Sequence, residues 1–128
     1  MPVQIPGNMH SICTAGADFS ADAQQYRGRV QSTANDFEMV APTLNEGISG
    51  VQQNKPASGQ AITIMTTGIT QAVSAAAITR GDYCSVDADG RFKTAAAGQQ
   101  RVGRAMESAG GADITFTLNL DDKGGDDA

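Results

Sequence analysis

The chain has no tryptophan, one histidine and two cysteines. Each scarcity closes a class of function. Cys13 and Cys84 are too few and too far apart for a disulfide framework or a zinc set, so both read as free, mostly buried thiols. A Ser–His–Asp or Cys–His catalytic set would have to be built around His10. That residue lies in an N-terminal segment poorly suited to hold catalytic geometry. A solvated or interface histidine is the expected role, so the chain reads as a non-enzyme. With neither a second histidine nor paired cysteines, no metal or other cofactor is implied. No run approaches the roughly 20 apolar residues of a membrane span, and MPVQIPGNMH lacks a basic region followed by an apolar one. Synthesis in a cytoplasm without a standard export signal is expected, with no membrane partner.

Large apolar side chains are scarce as well. Leu, Ile, Val and Phe together make 22 of 128 residues, below the roughly one-fifth that marks disorder-prone chains. The companion sign of disorder is missing, because the net charge is only −5. Most of it sits in residues 121–128, DDKGGDDA, so the body is nearly neutral. A folded but thinly cored domain follows. Such a domain has little apolar burial to offset the entropy of ordering, and gains stability from copies of itself or from a larger surface.

A basic stripe is also wanting. Arg27 with Arg29, and Arg101 with Arg104, could touch phosphates, but a pI near 4.6 and six aromatics make a poor nucleic-acid binder. Arginine pairs on an exposed strand serve salt bridges or a protein interface more often. No nucleic-acid partner is expected.

What is present falls into three parts. Residues 1–22 are punctuated by Pro2, Pro6, Gly7 and Gly16 and read as an extended N-terminal arm. Val3, Ile5, Met9 and Ile12 are its apolar contacts, and the spacing of Val3 and Ile5 suits laying a strand along a neighbour's sheet edge. Residues 23–120 form a β-rich domain. Short runs recur there about every ten residues, from YRGRVQS at 26–32 to DITFTLNL at 113–120, between turn clusters such as Lys55–Gly59 and Gly110–Gly111. In the last run Ile114, Phe116, Leu118 and Leu120 share one face. No segment keeps a helical period over the ten or so residues a helix needs, although a short helix at 20–26 capped by Ser20 fits. Residues 121–128 are an acidic, flexible tail. The fold class is all-β: a small barrel or sandwich, β-tulip-like, of short antiparallel strands.

Two stretches mimic chemistry. In GDYCSVDADGRFKT, Asp87, Asp89 and Gly90 resemble the opening of a calcium loop, but Ala96 stands where a bidentate Glu is needed and Arg91 and Lys93 crowd the site. Asp-Gly as a tight hairpin turn, with both central residues at positive φ, fits better. Gly98–Ala105, GQQRVGRA, nearly matches a phosphate loop, but Arg104 and Ala105 replace the required Lys and hydroxyl.

Read in order, four elements resemble the capsid cement, or head decoration, proteins of tailed bacteriophages. They are GVQQNKPASG at 50–59, AAITRGD at 76–82, DADGR at 87–91 and AAGQQRVGRAME at 96–107, within a likeness covering roughly residues 16–120. Gln52 and Arg104 depart from the apolar residues expected at those positions. The resemblance implies a virion protein on the outer capsid surface, made in the host cytoplasm. It implies binding of the major capsid protein through the N-terminal arm, self-association as a homotrimer at local three-fold axes, and stapling of the shell against packaged DNA. A rival from another class is a small β-barrel that binds a glycan or ligand on a phage fibre or head appendage; the lack of tryptophan disfavours sugar stacking.

Overall fold

The computed structural model describes residues 4–123. Among them are eleven strands, one 3-10 turn at Asp22–Gln24 and no α-helix. The strands are β1 (Ile5–Pro6), β2 (Met9–Ala15), β3 (Gly28–Gln31), β4 (Glu38–Val40), β5 (Gly50–Gln52), β6 (Ala61–Met65), β7 (Gly68–Val73), β8 (Tyr83–Val86), β9 (Phe92–Thr94), β10 (Gly103–Ala105) and β11 (Thr115–Asn119). The fold is all-β, as the short alternating runs require, and each run named between residues 26 and 120 contains a strand. Ser20 does not cap the 3-10 turn; its hydroxyl and N–H both bind Asp18.

Two sheets share the chain. One is a closed five-stranded barrel in the order β2-β4-β3-β5-β6; the other has six strands in the order β1-β7-β11-β10-β8-β9. The second sheet curls almost shut, because Phe92 of β9 bridges to Ser74, just past β7. Among the described residues the strand ladders are antiparallel except β2 with β4, and the isolated Ser74–Phe92 bridge is parallel as well.

Each sheet encloses its own small core. The barrel holds Cys13, Ala15, Phe19, Met39, Ile62 and Ile64, while the second sheet gathers Phe92, Phe116, Leu118, Val86, Cys84 and their neighbours. β6 serves both by strand alternation, with Ile62 and Ile64 facing the barrel and Met65 joining the second core. Phe116, Leu118 and Leu120 are buried as their spacing predicts, but Ile114 precedes the strand and is exposed. Thr117, on the opposite face, is buried too and donates to Glu107 at 2.7 Å.

The Asp-Gly turn joins these bodies. β8 and β9 form the expected hairpin through Asp87–Arg91. The carboxylate of Asp87 accepts from the N–H groups of Asp89 (2.9 Å) and Arg91 (3.0 Å). Only Gly90 has positive φ (84°); Asp89 does not, so this is a five-residue loop and not a two-residue turn. Its far side meets β3, where the Gly28 N–H donates to the Gly90 carbonyl at 2.7 Å.

The N-terminal segment was expected as an arm but folds back onto its own domain. Ile5 pairs with Ile69, Gly7 donates to the Thr67 carbonyl, Asn8 accepts from Thr66, and Met9 pairs with Met65. Residues 5–15 thus strap the second sheet to the barrel. Small Cys13 and Ala15 supply the buried face that the sparse apolar pattern did not announce.

Candidate docking surfaces

The strap positions three of the four apolar residues expected to make contacts, and Val3 lies outside the described residues. A β-bulge governs the display. His10 pairs with Ile64 and Cys13 with Ile62, so one extra residue sits on β2 between them. His10 and Cys13 therefore both face the barrel interior, although strict alternation would put them on opposite faces. Ile12 is left outside at 68% exposure, with Met9 at 47% and Ile5 at 61%. Ser11 and Thr63 join hydroxyls across the strands at 2.8 Å. β2 meets β4 only at Thr14 and Ala15, so Met9–Cys13 has no paired strand on that side among the described residues.

Phe37 joins this region, and the sequence pattern did not mark it. Its carbonyl accepts from the Thr14 N–H at 2.8 Å, two residues beyond Ile12. Its ring is 60% exposed, and its φ of +51° lies in the left-handed region that a bulky side chain enters only at a cost.

Arg27 and Arg29 are not the exposed pair expected. Arg29 is fully buried, and its guanidinium lies 3.8 Å over the Phe19 ring. It donates to Gln52 Oε1 (2.9 Å) and Gln24 Oε1 (2.9 Å), and burial lowers its pKa to about 10. Arg27 donates to the carbonyls of Ala23 (2.7 Å) and Asp89 (3.3 Å). Gln52 departs from the resembled pattern to serve as Arg29's acceptor.

The carboxylates of the supposed calcium loop are taken up by Arg91, which pairs with Asp87 (3.4 Å), Asp89 (3.6 Å) and Asp113 (3.0 Å). Among the described residues no three His, Cys, Asp or Glu side chains are grouped to hold a metal ion. His10 sits apart from any Ser–Asp pair in the hydrogen-bond pattern; its Nδ1 is buried with no hydrogen-bond partner among the described residues. Both cysteines are free and buried, as their scarcity implied.

Arg101 and Arg104 converge. Their guanidinium carbons lie 4.7 and 5.0 Å from the centroid of one ring, Tyr83. β10 places Arg104 directly opposite Tyr83 of β8, while Arg101 comes from the loop before it.

A family model described as phage cement protein matches residues 28–120. The match runs from the start of β3 to just past β11, so the strap lies outside it. Among solved structures, the head fiber gp8.5 N base of bacteriophage phi29 is similar over 88% of this chain and 94% of that one, with a TM-score of 0.72 and 20% identity. That degree of identity speaks for the fold. Comparison with curated proteins gives no match.

Proposed function

The chain belongs to the phage cement protein family, and from that premise we propose that it binds the outer face of the assembled phage head and stabilises the shell against internal DNA pressure. Its role is that of a structural protein of the phage head, without catalysis. The observation that carries this reading is the family match across residues 28–120, which takes in nine of the eleven strands.

The physical features support it. Two small cores leave the domain with modest stability of its own, and the strap displays Ile5, Met9 and Ile12, with Phe37 nearby. These residues contact the major capsid protein. Copies associate as a homotrimer at local three-fold axes, where repeated contacts raise apparent affinity without a large interface per copy. Ligation of only the assembled lattice stabilises that state by mass action.

The test is addition of the purified protein to undecorated heads, followed by electron cryomicroscopy. Saturable density at symmetric positions on the outer surface is expected. Binding that does not saturate, or density placed without symmetry, overturns the proposal.

A further inference from the structure

The face of the second sheet around Tyr83 carries a cationic cluster that the strap contacts leave unused. Arg104 lies opposite Tyr83, and Lys93 opposite Ser85, two residues along the same strand. Strand alternation puts all four on one face. Arg101 then leans in from the loop before β10.

The two arginines are held differently. Arg104 donates through Nε to the Gly81 carbonyl at 2.9 Å and meets one carboxylate, Asp122, at 3.4 Å. Arg101 makes no side-chain hydrogen bond or ion pair among the described residues, and its Nε is buried without an acceptor. A guanidinium held against a ring, with a buried donor unsatisfied, has lost hydration that nothing among the described residues restores. Contact with the ring restrains the fork and leaves its terminal N–H groups for an acceptor. The nearby Asp82 carboxylate does not fill that role; it accepts from the Thr79 N–H and the Thr94 hydroxyl, both at 3.0 Å.

We propose that Arg101 and Arg104, racked against Tyr83, form a receptor for the carboxylates of an acidic segment on a protein partner. Carboxylate matches the fork bidentately, and Arg104 already holds one. The ring stack removes rotamer freedom before binding, so little is lost when the acid arrives. An acidic peptide fits better than a nucleic acid. The chain is itself at −5 and Asp122 lies 3.4 Å from Arg104, so positive potential is confined to the two guanidinium forks, a patch that suits one or two carboxylates and not a continuous phosphate backbone. This site shares no residue with the strap, so it stands or falls apart from the capsid reading.

Titration of the full chain with a synthetic aspartate-rich peptide tests it, by calorimetry and by NMR of the Tyr83 ring and Arg101 Nε–H signals. Saturable binding that weakens with salt is expected, with both signals shifting. Arg101→Gln should weaken it by about tenfold or more at unchanged circular dichroism. Arg101→Lys should recover only part of the loss, because an ammonium neither stacks nor forks. Four results overturn the proposal: no saturable peptide binding, undiminished binding by Arg101→Gln, full affinity in Arg101→Lys, or tighter binding of a single-stranded DNA oligonucleotide than of the peptide.

Discussion

Arg29 and Gln52 satisfy one another out of reach of water. The Arg29 Nε donates to Gln52 Oε1 at 2.9 Å, and the Gln52 Nε2 donates to the carbonyls of Asn54 (2.8 Å) and Phe19 (3.2 Å). Both side chains are fully buried, and they stand where the barrel, the 3-10 turn and the Asp87–Arg91 loop meet. The pair acts as one polar unit inside a thin core.

Gln52→Leu should therefore cost about 3–5 kcal/mol in urea unfolding, because it strands a buried charge short of its acceptor. Replacing both, Arg29→Met with Gln52→Leu, should recover most of that, since apolar groups of similar volume leave nothing unpaired. A single mutant within about 1 kcal/mol of the parent would show that the two are not coupled.

Gly90 carries the second expectation. Its φ is +84°, and any Cβ there would collide with the Gly28 carbonyl oxygen, the same chain position whose N–H bonds Gly90. Gly90→Val should destabilise by about 2–4 kcal/mol through strain and a pried junction. Asp89→Val should cost less, since Asp89 is not at positive φ. Equal losses in thermal unfolding would place the strain elsewhere.

The strands of residues 26–120 were legible because apolar runs alternate with polar positions and turn residues bound them. β2 was not. Its buried residues are Cys13 and Ala15, which weigh little in an apolar pattern, and the bulge breaks the period of two. The interior place of Arg29 was equally hidden, since an arginine two positions from another reads as a charged face until Gln52 and Phe19 are seen around it. The sparse spacing of Ile5, Met9 and Ile12 set them outside any core, and all three are exposed, whereas the exposure of Phe37 goes with a left-handed backbone that composition does not reveal.

Cys84 sets an alkaline limit. Burial, reinforced by the Asp82 charge, pushes its thiol from 9.0 up to about 12. The unfolded thiol loses its proton near 9 while the folded one keeps it, so the unfolded state binds fewer protons across that window. Stability should then fall with rising pH between about 9 and 12, by up to about 1.4 kcal/mol per pH unit from this group. Cys84→Ala should show a shallower decline in denaturant titrations over that range. An identical slope would mean the thiol contributes nothing.

Phe37 and Ile12 separate stability from attachment. Phe37→Gly should raise stability by about 0.5–1 kcal/mol by relieving the left-handed backbone, yet weaken binding to undecorated heads, because the exposed ring is lost. Ile12→Asp and Met9→Asp, both at exposed positions, should leave unfolding within about 0.5 kcal/mol of the parent while reducing head binding by about tenfold or more. Excising residues 2–12 is a poorer probe, since it strips Met9 and His10 from their pairing with β6 and Ile5 from its pairing with β7. Point changes keep the strap closed and alter only what it displays. If all three variants bind heads as the parent does, the capsid contact lies on another face and the strap serves only to tie the two sheets together.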